Sequence, residues 1–382
     1  IFEPGLDAIV KRNVKNGRLK FTSKLELEGT NCILLAVGTP TDPKTDNADM
    51  TMFYGAAKEV AAKLKHRCLV VTKSTVPVGT GAELKKIFKD KASIASNPEF
   101  LREGNAVFDF MNPDRIVVGV NSTNCAKFLE NVYAPIIKNT KAHFMATDIV
   151  SAELIKYASN TFLAAKVVFI NEMADLCEAA GADVEEVAKG MGLDERIGNK
   201  FLKTGPGIGG SCFPKDARAL AVQATNLGYP SHIIEALIES NELRKENMAA
   251  RIKKKVGKAD GKTIAIFGLT FKANTNDMRE SPALTILPLL IKSGLKVKAY
   301  DPEGMAEAKK YLSKVEFCKS AAEAAKDADA IVILTEWDEF KNYDWKRIFD
   351  NMHKPAFVFD GRNILDAAKM KEIGFIFHSV GS

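Results

Sequence analysis

The chain has 382 residues, 46% hydrophobic and 27% charged, with a net charge of +6 at pH 7. This balance predicts a multidomain globular protein and excludes a fibrous or disordered chain. No apolar run nears the ~20 residues of a membrane span, the first residues are not a signal peptide, and the six cysteines lack zinc-ligand spacing. Those thiols read as reduced, which places the protein in the cytoplasm without a metal. Lys253-Lys254-Lys255 is the one dense basic run. It reads as a solvated helix end, so no nucleic-acid surface is expected, although a basic balance suits a substrate with two phosphate charges.

In chain order, Asn31–Val37 reads as a buried strand, Met52–Leu64 as a helix, Cys68–Thr72 as a strand, and Ser93–Ala95 and Arg115–Val118 as short strands. Such alternation predicts a parallel sheet with helices on its faces. From Asp148 the pattern turns helical: Ala152–Ala180, then Asp183–Gly190 after Gly181, then Ser231 towards Lys255. A second α/β unit follows, with strands Thr263–Phe267, Leu295–Tyr300, Ala330–Leu334 and Ala356–Phe359, and a helix Pro282–Lys292. The fold class is therefore α/β, with two Rossmann-like parallel-sheet domains joined by a long-helix central region. The expected domains are 1–147, 148–256 and 257–382. Gly268-Leu269-Thr270-Phe271 follows the first strand of the last domain but is not GxGxxG, and Asp301-Pro302 reads as a turn rather than a ribose-binding acid.

Three segments place polar residues at the carboxyl ends of strands in the first domain, where open α/β sheets gather ligands: Gly38–Thr41, Lys73–Thr75 and Asn97–Glu99. Lys156 and Asn160, at i and i+4, share one face of the long helix. Lys156 reads either as a snorkelling surface residue or as a buried cation that stabilises an oxyanion, with Asn160 supplying an amide to the same oxygen. The run Gly209-Gly210-Ser211-Cys212-Phe213-Pro214-Lys215-Asp216 sets a thiol in a glycine-rich bend near a cation and a carboxylate. A thiol attacks as thiolate, so this layout points to a covalent nucleophile rather than a packed core cysteine. The preceding loop, Phe201–Gly210, has the glycine content to wrap a diphosphate.

The motifs VGTPT (37–41), KSTVP (73–77), NPEFLREG (97–104), ELIKYASN (153–160), RIGNKFL (196–202), GGSCFPKD (209–216), GLTFK (268–272), MRES (278–281) and DGRN (360–363) stand in this order. On them the chain resembles the UDP-glucose/GDP-mannose dehydrogenase family, with Phe213 favouring its UDP-glucose branch. The resemblance implies a four-electron oxidation of the C6 alcohol of UDP-glucose to a carboxylate, consuming two NAD. The path runs through a thiohemiacetal and a thioester on Cys212.

For catalysis it implies oxyanion stabilisation by Lys156 and Asn160, with proton and water handling by Asp216, Glu99 and Thr75. For the cofactor it implies Thr39, Thr41, Ser74, Thr75, Glu103, Lys215 and Arg279. For the substrate it implies Glu99, Phe100, Leu101, Arg102, Glu103, Lys156, Asn160, Phe201, Lys203, Gly205, Gly207, Gly209, Phe271, Lys272 and Arg362. Arg196 would reach a substrate on a neighbouring subunit of a homodimer or larger homo-oligomer. Oxidation of GDP-mannose or another nucleotide sugar, and an inactive nucleotide-sugar-binding fragment, are the alternatives. The start at Ile1-Phe2-Glu3-Pro4 matches the family inside its first domain. The strand, GxGxxG turn and ribose-binding acid expected before it are not in the sequence, so the NAD domain is expected to be truncated and to bind NAD poorly.

Overall fold

The computed structural model describes residues 3–258 and 261–382; Ile1, Phe2, Ala259 and Asp260 lie outside the described residues. The chain divides into two compact units, one of residues 1–161 and 215–232, the other of residues 162–214 and 233–382.

The first unit holds a five-stranded sheet of Cys32–Leu35 (β1), Cys68–Thr72 (β2), Ala92–Ser96 (β3), Arg115–Val120 (β4) and His143–Thr147 (β5), in that spatial order. β2 is buried along its whole length, as its β-branched sequence CLVVT requires of a strand covered on both faces. Phe53, Ala57, Val60, Leu84 and Phe88 from helices Thr51–Lys63 and Thr80–Phe88 pack with Val70 and Ile94 in one core cluster. Leu69, Val71, Ile116 and Val118 pack with Leu129 and Tyr133 in another.

One pairing differs from the expected parallel sheet: β3 and β4 are antiparallel, with Ala95 opposite Val120 and Ser96 opposite Gly119. The segment between them carries only the short helix Ala106–Met111. Asn97, the residue after β3, donates from Nδ2 to Val117 O at 2.8 Å, so β4 starts at the carboxyl rim and runs back. A parallel return would need a full crossover.

The second unit contains the six-stranded sheet of Thr263–Phe267 (β6), Lys296–Tyr300 (β7), Glu316–Phe317 (β8), Ala330–Ile333 (β9), Phe357–Asp360 (β10) and Ile376–Ser379 (β11). Its order is β11-β10-β9-β6-β7-β8, and every adjacent pair is parallel. This is the doubly wound dinucleotide-fold order, whose direction of winding reverses between β6 and β9. The unit also takes in most of the helix Ile149–Ala180, the helix Val184–Gly192 and the helix His232–Val256. Ile170, Ala174, Met248, Ile252 and Ile264 are buried together in its main core. Lys253–Lys255 are exposed on the last turn of the helix His232–Val256.

Candidate functional site

In the first unit the carboxyl ends of β2 and β3 meet the start of the long helix Ile149–Ala180. Lys156 is buried, at 3% exposed, and its Nζ donates to Glu99 Oε1 at 3.0 Å. Lys156 is thus a buried side chain and not a snorkelling surface residue. Glu99 Oε2 accepts the Leu101 N–H at 2.5 Å, which folds the 97–101 turn around the carboxylate. Two cations stand near the Phe100 ring, with Arg115 Cζ 4.0 Å and Lys156 Nζ 5.5 Å from its centre.

Lys73, the residue after β2, donates to Asn97 Oδ1 at 3.2 Å and to Pro98 O at 3.5 Å, and Tyr133 Oη donates to the same Asn97 oxygen at 2.5 Å. Burial lowers the Lys73 amine to about 8; the Glu99 carboxylate opposes that shift and the Lys156 charge adds to it. The cluster thus holds two amines about one carboxylate. One turn beyond Lys156, Asn160 Nδ2 donates to Asp216 Oδ2 at 2.6 Å, and Lys215 Nζ donates to Asp216 Oδ1 at 2.7 Å. Asp216 is 1% exposed, so its charge depends on these two donors.

The rim of the same sheet is held by hydroxyls. Ser74 Oγ accepts the Val37 N–H at 2.8 Å and donates to Val37 O at 2.6 Å, and Thr39 Oγ1 donates to Thr75 O at 2.8 Å. Both hydroxyls keep acceptor capacity. A Cβ at Gly38 would meet nothing within 4 Å, so the backbone there faces open space. An open backbone beside polar hydroxyls fits the ribose and amide groups of a dinucleotide.

In the second unit, the loop 203–210 lies against residues that follow β6 and β10, with Gly209 and Gly210 close to Phe271 and Gly205 close to Arg362. Asn171 Oδ1 accepts the Gly205 N–H at 2.8 Å. Asn241 clamps Ile208, taking its N–H at 2.7 Å and donating to its carbonyl at 3.2 Å. Arg244 Nε donates to Gly205 O at 3.2 Å. Side chains are excluded along the loop: a Cβ at Gly205 would stand 2.9 Å from Arg362 Nη1, and at Gly210 2.6 Å from the Phe271 ring.

Arg362, after β10, donates to Leu334 O at 2.7 Å and to Phe271 O at 2.9 Å, and pairs with Glu336 at 3.1 Å. It is presented by Asp360, whose carboxylate gathers the N–H groups of Arg362, Ile364 and Leu365; burial pushes that carboxyl up, and the three bonds oppose the shift. Asp301 does the same for the loop after β6. Its two oxygens take the N–H groups of Leu269, Thr270, Glu303 and Gly304, the Thr270 hydroxyl and the Trp337 indole. That is the turn-forming role expected of it.

Cys212 is the residue before the helix Phe213–Asn226, and among the described cysteines it alone is exposed; Cys68, Cys177 and Cys318 are buried. Ser211 Oγ lies 3.6 Å from its Sγ. The Phe201 and Phe213 rings, on either side of the glycine loop in sequence, stand 6.0 Å apart.

Three family models match in order along the chain. The NAD binding domain of the UDP-glucose/GDP-mannose dehydrogenase family covers residues 1–137, its central domain residues 150–243, and its UDP binding domain residues 265–367. A UDP-glucose 6-dehydrogenase from Rickettsia felis is 47% identical over 390 aligned residues, spanning 100% of this chain and 86% of that protein. One from Rhizobium meliloti is 45% identical, spanning 100% and 89%. The chain belongs to the UDP-glucose/GDP-mannose dehydrogenase family. A solved UDP-glucose dehydrogenase from Pyrobaculum islandicum superposes with a TM-score of 0.90 at 34% identity, over 100% of this chain and 87% of that one.

Other residues named from the sequence have the following surroundings in this dehydrogenase fold. Arg102 is tied to Asp109 by two side-chain bonds of 2.9 and 2.6 Å, and Thr41 forms an isolated bridge with Ala48. Arg196 is exposed and paired with Asp194 at 2.5 Å, and Arg279 is paired with Asp277 at 2.7 Å. Lys203 is exposed, and Lys272 Nζ lies 5.4 Å from the Phe271 ring centre. Tyr133, Asn171, Asn241 and Arg244 fall outside every motif read from the sequence, and Lys73 and Asp360 are marked there only as members of the Lys73–Thr75 rim segment and the DGRN motif. For Asn241, Arg244 and Lys245 a signal existed: they stand at i, i+3 and i+4, a polar stripe that is buried at 5%, 5% and 2% exposed. No helix among the described residues is long and apolar enough to cross a membrane.

Proposed function

We propose that this chain oxidises the C6 alcohol of UDP-glucose through the aldehyde to the carboxylate, giving UDP-glucuronate. The observation that carries the reading is the glycine loop 203–210. It is clamped over Phe271 and Arg362 on the Rossmann-ordered sheet, and it leads within two residues to the exposed Cys212. The loop amides and Arg362 would take the diphosphate and Phe271 the base, while Lys203 and Lys272 add charge at the edge. The family name borne by the relatives supports the same substrate.

NAD supplies the hydride acceptor, one molecule for each of the two oxidations. Thr39, Thr41, Ser74, Thr75 and Glu103 of the first unit, with Lys215 and Arg279, would hold it. The chain's own groups do the rest. The alcohol proton passes to Asp216 or Glu99 as the aldehyde forms. The Cys212 thiolate then adds to C6, and the Lys156 ammonium and the Asn160 amide stabilise the oxygen that gains charge. After the second oxidation the C6–S bond is a thioester. Water directed by Glu99 and Thr75 adds to C6, and the C–S bond breaks to free the carboxylate and the thiolate.

Residues 1–147, 148–256 and 257–382 are proposed as the cofactor, central and UDP-sugar domains. Phe162, Phe169 and Leu176 recur every seventh residue on the long helix and are 67%, 46% and 59% exposed, which supports a homo-oligomer. The test of the covalent step is Cys212→Ser, which should stop turnover to uronate at the aldehyde stage. Sustained uronate formation by that variant would exclude the thioester path.

A further inference from the structure

Glu153 lies one turn before Lys156 on the long helix and is 3% exposed. Its carboxylate faces the start of the helix Thr80–Phe88: Oε2 accepts the Gly79 N–H at 2.7 Å and Oε1 the Gly81 N–H at 2.8 Å. The contact leaves no room for a side chain at 81, where a Cβ would stand 2.4 Å from Ile149 Cγ2 and 3.4 Å from Glu153 Oε1. Gln223 Nε2 adds a bond to Val78 O at 2.9 Å. The loop after β2 is thus fastened at Ser74 on Val37 and at Gly79–Gly81 on Glu153, with Thr75 between.

We propose that Glu153 is a positioning residue of the reaction: its ionised carboxylate locks the 73–81 loop onto the helix that carries Lys156 and Asn160, and so sets Ser74 and Thr75 for the cofactor. The role in the reaction rests on the dehydrogenase reading above; the clamp itself does not. An ionised carboxylate accepts both amides. Once protonated, one oxygen becomes a donor and cannot accept as before. Burial pushes this carboxyl up to about 7, with the two amide bonds opposing the shift and Asp148 adding to it. The groups that face it are Asp148, just before its own helix, Tyr157 on that helix and Tyr54 from the helix Thr51–Lys63; Tyr54 also faces Glu83. The clamp therefore loosens as pH falls through about 7. Whole-fold stability moves the other way. A carboxyl raised above its ordinary value of 4.5 favours the fold most below that value and loses this contribution as pH rises through about 7.

The test is amide hydrogen exchange of residues 76–84 in the full chain between pH 6 and 8, corrected for intrinsic rates, beside steady-state kinetics. In the wild type, protection at Gly79 and Gly81 should fall about tenfold from pH 8 to pH 6, and kcat/KM for NAD should fall in the same window. Glu153→Gln should show low protection at both pH values and a lowered, flat kinetic profile. Wild-type protection that ignores pH, or a Glu153→Gln variant protected like the wild type, overturns the proposal. Gly81→Ala, checked for folding by circular dichroism, gives a second reading and should expose Gly79 at pH 8; a folded variant that keeps full protection there also overturns it. If exchange follows the clamp but UDP-glucose is not oxidised, the dehydrogenase reading fails and the clamp stands.

Discussion

Asn241→Leu removes the side chain that pins the centre of the glycine loop. In the wild type the Asn241 amide satisfies both backbone groups of Ile208, at 2.7 and 3.2 Å, in a position 5% exposed. Leucine is close in volume, so packing is kept while two polar groups lose their partners. Each buried unsatisfied group costs roughly 1–3 kcal/mol, so about 2–6 kcal/mol is at stake for the two. The loop escapes part of that cost by moving towards water, and the escape is paid back when UDP requires the closed loop. With about 1.4 kcal/mol per tenfold, UDP affinity should weaken about ten- to hundredfold. Isothermal titration with UDP alone reads this without any oxidation step. Asn241→Asp keeps the acceptor for the Ile208 N–H but sets a carboxylate against the Ile208 carbonyl, and should bind UDP no better than the leucine variant. If Asn241→Leu bound UDP with wild-type affinity, loop order would not be what makes the nucleotide site, and the reasoning would fail.

Two further outcomes follow from the first unit. Lys156→Met removes the buried ammonium from Glu99 and should lower kcat on UDP-glucose by about 10²–10³, the loss typical of one oxyanion donor, with UDP affinity unchanged. Lys73, its amine lowered to about 8, binds a proton less readily in the fold than when unfolded, so its burial costs stability most below pH 8 and the cost fades as pH rises towards 10.5. Lys73→Met should therefore gain in melting temperature on the wild type at pH 7 and lose that gain by pH 10; a difference that does not change with pH would show that Lys73 is not the buried, shifted amine described.

The sequence made the fold legible where local chemistry and burial agree. β2 and β6 fall on the residues read from composition because their apolar, β-branched runs are covered on both faces. The long helix starts three residues earlier than its apolar spacing suggests, because Asp148 caps it by accepting the Ser151 N–H at 2.8 Å. β5 was not legible: it is an edge strand of sequence HFMAT with no residue fully buried, so no period-two pattern marks it. The antiparallel β3–β4 pair depends on Asn97 reaching Val117, a contact that local sequence does not encode.

The site shows the same division. Cys212 and its flanking glycines are a local signal. Asp301 looked like a turn residue and is; its importance, like that of Asp360, comes from the number of amides it gathers, which only the folded loops reveal. The spacing of Asn241, Arg244 and Lys245 puts them on one helix face, but whether that face is buried depends on what packs against it.

The account's central claim is a double oxidation through Cys212. The most direct measurement is the number of NADH formed per UDP-glucose consumed at completion. Two per sugar, with UDP-glucuronate as the product, is the result the account predicts. One per sugar, with the aldehyde released, would contradict it.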